Sequence, residues 1–220
     1  MSDLFGEILT SRREIKSRLK QEGDSWNYDN LSLREYNNLF EPLVGAKIDE
    51  IADKMHRQKK KLIVVNLLGG TRVLRDLGVE ESYAVRLTDG RTPETIAEDK
   101  RRNITLISGD ILSKGTVNKL PNAIDILLCM PEGAAEFLPT SPDLFYFLGE
   151  SILKKMSVGG VAMIQLPLTS HQWMAEYVKQ VGRSKDLALT YFPPGQKRDE
   201  PVFVMEKYSA RAHLPIMLYH

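Results

Sequence analysis

The sequence predicts an α/β protein built on a parallel sheet with helices on both faces, and three observations carry that expectation. From residue 61 onward the apolar runs "KLIVVNLL", "SYAVRLTD", "ITLISGDI", "AIDILLCM" and "GVAMIQLP" are each followed by a segment of helical spacing. Parallel strands need that alternation, because each return to the start of the next strand takes a crossover helix. The runs are nearly continuous in apolar residues, as strands covered on both faces are. Finally, "LALTYFPP" and "PVFVMEKY" are separated only by "GQKRDE", too short for a crossover helix but long enough for an antiparallel hairpin. Five β-α units closed by such a hairpin make seven strands, of which the last is antiparallel.

Composition narrows the class. A chain of 220 residues, 42% hydrophobic and 27% charged, suits one globular domain with an appendage. Its 30 basic and 29 acidic residues leave a net charge of +1, so the molecule as a whole lacks a polyelectrolyte signature for nucleic acid. The single cysteine, Cys129, excludes an internal disulfide framework and fits a reducing compartment. Lying inside an apolar run, it reads as a small buried hydrophobe. There is no signal-peptide pattern at the N-terminus and no apolar run of the roughly 18 to 20 residues a membrane span needs. The expectation is a soluble, cytoplasmic protein with no membrane partner. His56, His171, His213 and His220 show no metal-ligand spacing, so no metal site is expected.

Taken in order, residues 1–60 read as a helical appendage and 61–220 as the α/β domain. In the appendage Leu4, Phe5, Ile8, Leu9, Ile15 and Leu19 recur at mostly helical intervals, with "SRREIKSRLK" as a basic face. That face reads as a solvated helix side, or as a contact for RNA phosphates or an acidic partner. After the polar "QEGDSWNYDN", Ser32 and Glu35 form a capping-box pair. They open a helix carrying Tyr36, Leu39, Phe40 and Leu43, in which Pro42 predicts a break or kink. Further on, Thr92 before Pro93 and Ser141 before Pro142 each place an N-cap residue ahead of a proline in the first helical turn. "SPDLFYFLGESILKKM" runs into "SVGG", where a glycine at positive φ is expected to close the helix.

In an open parallel sheet, ligands bind beyond the carboxyl ends of the strands at the point where strand order reverses. Asn66, Gly69, Gly70, Thr71, Asp89, Asp110 and the segment from Met130 all fall at such ends. Glycine permits close backbone approach, and amides opening a helix at Thr71 favour an anionic group. Asp89, 19 residues after Gly70, stands where a carboxylate takes ribose hydroxyls in dinucleotide folds. Both aspartates also suit a plainer role in turns, Asp89 in "TDGRT" and Asp110 in "GDILS". Glu132 is the sole carboxylate near the end of the fourth strand. It is a candidate general base, or a solvated loop residue.

These motifs in this order, with "LKKMSVGGVAMIQLP" after them, resemble the class I S-adenosylmethionine (SAM)-dependent methyltransferases over roughly residues 60–208. The resemblance implies a three-layer Rossmann-like sheet of order 3-2-1-4-5-7-6. It also implies SAM as cofactor, held by Asn66, Gly69, Gly70, Thr71, Asp89, Asp110 and Met130. Two positions depart from the family's three-glycine turn, Leu68 at the first and Arg72 at the third. A fainter similarity links "YFPPGQKRDEPVFVMEKY", with Glu200, to the ribose 2′-O-methyltransferases of the FtsJ type. Gln165 stands where their second lysine belongs and the aspartate after strand four is missing, so that activity is not implied. The methyl acceptor, whether small molecule, protein or RNA, is not legible. Two other readings stay open: a methyltransferase-like binding or scaffolding protein without catalysis, and a nicotinamide-dependent oxidoreductase. Against the latter, a G-x-G-x-x-G pattern counted from Gly70 meets Val73.

Overall fold

The computed structural model describes residues 31–58, 61–87, 89–131, 142–182, 184–195 and 200–215. Helices α1 (Leu33–Val44) and α2 (Ile48–His56) precede a repeating unit. It runs β1 (Ile63–Leu67), α3 (Arg72–Leu77), β2 (Glu81–Arg86), α4 (Pro93–Arg101), β3 (Ile104–Ser108), α5 (Lys114–Lys119) and β4 (Ile124–Cys129). Then follow α6 (Pro142–Lys155), β5 (Met156–Gln165), a 3₁₀ turn (Leu168–Ser170), α7 (His171–Val181), β6 (Leu187–Phe192) and β7 (Val202–Lys207). The seven strands form one sheet of order β3-β2-β1-β4-β5-β7-β6. Strands β1 to β5 pair in parallel, and β7 runs antiparallel to both β5 and β6. This is the expected order, and it follows from right-handed crossovers with a short hairpin at the end.

Side chains alternate across each strand, so the sheet separates two apolar layers. On one face Val64, Ala84, Ile126, Leu128 and Met163 share a cluster with Tyr36, Phe40, Ile48 and Ala52 of α1 and α2. On the other, Val65, Leu67, Val85, Leu127 and Cys129 meet Phe145 and Ile152 of α6 and Met174 and Tyr177 of α7. Phe145 anchors that second layer through an edge-on contact with Phe203, ring centroids 5.0 Å apart. Burial pushes the Cys129 thiol well above its ordinary pKa, consistent with a packing role.

Helix α1 starts as the sequence suggests. The Glu35 carboxylate accepts the Ser32 backbone N–H at 2.6 Å and the Ser32 hydroxyl at 2.8 Å. Pro42 does not break it. The helix continues to Val44 and stops at Gly45, because Pro42 falls in the last turn, where a lost amide bond removes little. The pattern from Leu4 to Leu19, and Ser141, lie outside the described residues. Thr92 caps α4, its hydroxyl accepting the Thr95 N–H at 3.2 Å, with Pro93 first in the helix.

The "SVGG" stretch departs from expectation. Helix α6 ends at Lys155 and β5 begins at once at Met156, so Ser157 to Gly160 belong to the strand. Gly159 does adopt a positive φ, 84°. It does so where the register against β4 shifts between Ile124 and Ile126, the place a bulge needs a residue free of Cβ strain. The helix end is satisfied by a side chain instead of a glycine: the buried Lys207 ammonium donates to the carbonyls of Leu153 and Met156 at 2.8 and 2.9 Å. No helix among the described residues is long and apolar enough to cross a membrane.

Candidate functional site

The strand ends that could form a site are level. Leu67 stands opposite Val85 and Cys129, and Arg86 opposite Ser108. The ladder then extends one bond into each loop, from Leu68 N–H to the Val85 carbonyl and from Gly109 N–H to the Arg86 carbonyl, both at 2.8 Å. The turn after β1, the loop after β2, the loop after β3 and the exit of β4 therefore leave from one edge. Adjacent strands lie about 4.8 Å apart, so the β1 and β3 exits are about 10 Å apart, the scale of a nucleoside. Strand order reverses between β1 and β4 at this edge.

The turn after β1 is more tightly built than its sequence suggests. Asn66 is fully buried, accepting a hydrogen bond from the Tyr36 hydroxyl at 3.0 Å and donating its amide to the Gly70 carbonyl at 2.9 Å. Gly69 faces this pair: a methyl group added there would overlap the Asn66 amide nitrogen and lie 2.6 Å from the Tyr36 oxygen. The glycine is required by the packing of α1 on the turn. Thr71, also fully buried, opens α3. That helix has only six residues, so its macrodipole adds little at this edge. Arg72 is exposed, within electrostatic reach of Glu35.

Leu68 sits at φ 56°, the left-handed region where glycine is at home and a branched side chain is strained. Its side chain is nonetheless 7% exposed and shares the apolar cluster of Val85, Ile107 and Ile111. The two effects oppose each other. Glycine would relieve about 1–2 kcal/mol of strain, whereas large-to-small changes at a buried leucine cost about 3–5 kcal/mol. Leu68→Gly is therefore expected to destabilise the protein by about 2 kcal/mol in chemical denaturation, while opening space beside the turn.

Asp89 lies three residues beyond the end of β2, with its carboxylate in a salt bridge to Arg91. Oδ1 accepts the Arg91 backbone N–H at 3.2 Å and Nε–H at 2.9 Å, and Oδ2 accepts Nη2–H at 2.8 Å. The same guanidinium reaches Asp99 of α4 through Nη1 at 3.0 Å. Asp99, 1% exposed at its side chain, is bonded on its other oxygen by Arg75 of α3 at 2.8 Å. Arg75 in turn donates to the Thr71 hydroxyl at 2.6 Å. One chain of charge-assisted bonds thus runs from the turn after β1 to the acid after β2. The Arg91 side-chain bonds hold the Asp89 carboxyl below the usual range, and Asp89 raises the Arg91 pKa in return.

Asp110 is engaged in its own loop, Oδ1 accepting the Leu112 N–H at 3.0 Å. Met130 is half-buried against the α1–α3 layer. Glu132 lies outside the described residues. Among those residues no group of three or more His, Cys, Asp or Glu side chains comes together as for a metal. Sequence reasoning missed Tyr36, Arg75, Arg91 and Asp99 as parts of this edge. For Arg91 a signal existed, an arginine two positions after the acid in "DGR". For Asp99, in a polar helical segment, there was none.

The carboxylates set a pH limit. Backbone bonding from Ser32 holds Glu35 below its ordinary 4.5, and a bond from Lys61 does so first for Glu81; Asp89 is held below its ordinary 3.8 by Arg91. A depressed carboxyl contributes stability that is present above its unfolded pKa and lost as pH falls through the folded value. The melting temperature is therefore expected to fall as pH is lowered from 5 to 3, and Arg91→Ala to flatten part of that slope.

Neither a protein-family model nor a curated protein sequence matches the chain. Solved structures of similar course include an rRNA methylase from Streptococcus thermophilus, at 17% identity over 68% of this chain and 88% of that one, TM-score 0.46. A TehB-like SAM-dependent methyltransferase from Corynebacterium glutamicum is similar at 18% identity over 79% and 95%, TM-score 0.48. An amino pentose methyltransferase from Micromonospora echinaspora, solved with SAM bound, is similar at 13% identity over 81% and 98%, TM-score 0.44. At such identities these likenesses concern fold and carry no residue roles.

Proposed function

We propose that this protein is a SAM-dependent methyltransferase that holds its cofactor at the edge formed by the exits of β1, β2 and β3. The observation that carries this reading is the placement of two carboxylates, Asp89 and Asp110, on loops level with the buried Gly69–Gly70 turn. That turn, after β1, borders the switch point between β1 and β4 in a sheet of order 3-2-1-4-5-7-6, and the two acids leave the same edge one and two strands away. The donor set suits the group. The turn offers backbone amides to a carboxylate, and Asp89, its side chain 37% exposed, offers an acceptor to a ribose. The loop at Asp110 and Met130 would border the base. Bound SAM supplies an electrophilic methyl carbon, so the protein's task is alignment of the acceptor and exclusion of water. Where the acceptor must lose a proton, Glu132 is the candidate base. The acceptor itself is a small molecule, a protein or an RNA.

A second reading, a binding or scaffolding protein of the same fold without catalysis, is favoured by the Asp89–Arg91 pair and by the buried Leu68 side chain. Calorimetric titration separates the two. The catalytic reading expects saturable SAM binding to the parent protein. Asp89→Ala should weaken it by about tenfold or more, the value of a charge-assisted hydrogen bond. Absence of SAM binding at millimolar concentration leaves the second reading, and binding of a nicotinamide dinucleotide in its place would move the assignment to an oxidoreductase.

A further inference from the structure

We infer that Arg91 is a built-in competitor for the ribose, a latch that closes Asp89 and sets how tightly this edge takes a nucleoside. The inference rests on the cofactor reading for the identity of the ligand, but its observations are separate. A carboxylate oxygen has two acceptor positions. At Asp89 both positions on Oδ1 are taken, by the Arg91 backbone N–H and Nε–H, and one of the two on Oδ2 by Nη2–H. Among the described residues this leaves one position, where a ribose diol would use two.

The latch has the parts needed to open without unravelling. Arg91 follows Asp89 by two residues across an exposed Gly90, so the pair is local and its separation asks little of the rest of the fold. When the guanidinium leaves Asp89 it keeps a second acid, Asp99, at 3.0 Å on Nη1. Asp99 is itself held by Arg75, so the arginine moves between one acid and two instead of being cast into water. The Arg91 side chain is 10% exposed and the Asp89 side chain 37%. The ligand thus meets the acid first, while the competitor sits behind it. A diol arriving at Asp89 must displace the Nε–H or Nη2–H bond, and that exchange reduces the net gain of its own bonds.

Titration of S-adenosylhomocysteine into the parent, Arg91→Ala and Arg91→Met tests this. The methionine variant retains the aliphatic stem without the guanidinium, and melting curves establish that each variant is folded. The latch predicts binding at least tenfold tighter in both variants than in the parent, and loss of that gain when Asp89→Ala is added. Tighter binding in the variants with none in the parent at millimolar ligand also supports the latch, and it withdraws the methyltransferase reading for the unmodified chain. Parent binding that is unchanged or weakened by both substitutions overturns the latch and leaves the cofactor reading standing. Failure of all three proteins to bind overturns both.

Discussion

Asp99→Ala is expected to lower the free energy of unfolding by about 3–5 kcal/mol, among the larger effects available to a single side chain here. Asp99 is nearly inaccessible and is the shared counter-ion of Arg75 and Arg91, whose side chains are 14% and 10% exposed. Removing it leaves two largely buried guanidinium groups with one fewer anion between them. The penalty of an uncompensated charge decides the sign, whatever the intact pair contributes in net terms. Asp99→Asn keeps an acceptor for one arginine and should lose less. Urea denaturation of the two variants against the parent gives both values. Equal, small losses would mean that Arg75 and Arg91 find other acceptors.

Gly69→Ala is the second large effect expected, about 3 kcal/mol of destabilisation. The added methyl group would enter the space held by the Asn66 amide and the Tyr36 hydroxyl. Neither can retreat cheaply. Asn66 is fully buried and bonded on both sides, and Tyr36 is fully buried in the layer between α1 and the sheet. Relief requires either breaking the Tyr36–Asn66 bond or moving the turn, and each is costly in a close-packed interior. Tyr36→Phe removes the nearer oxygen and should cost about 1–2 kcal/mol on its own. Combined with Gly69→Ala it should cost less than the sum of the two, since the pair share one contact. Strict additivity in that double-mutant cycle would contradict the assigned contact.

The sheet was legible because its signals are local and repeated. Period and composition marked each strand, and the six-residue "GQKRDE" left β6 and β7 no way to pair except as a hairpin. The start of α1 at Ser32 was legible for the same reason, since a capping box lies within four residues. The end of α6 was not. Glycines in "SVGG" suggest a helix stop, but the carbonyls there are satisfied by Lys207, more than fifty residues away. The candidate site divides in the same manner. Asn66 announces itself by its place at the end of β1, and Gly70, Asp89 and Asp110 by theirs in the loops after strands. Their engagement does not: Asn66 is committed to Tyr36 by a contact 30 residues apart in sequence, and the role of Asp99 exists only once α4 is laid against α3. Leu68 shows the limit most clearly. From the sequence it is a side chain where a ligand needs room, whereas the fold gives it a left-handed backbone and an apolar cluster to fill.

Amide chemical-shift mapping on the isotopically labelled protein tests most directly whether SAM occupies the edge above β1, β2 and β3. Saturating SAM is predicted to perturb the amides of 69–72, 89–92 and 109–112 together, with one common dissociation constant, and to leave those along β6 and α2 unmoved. Shifts confined to the groove between α2 and the β5–β7 face, lined by Ile51, Met55, Val161 and Val204, or no shifts at millimolar SAM, would contradict that placement.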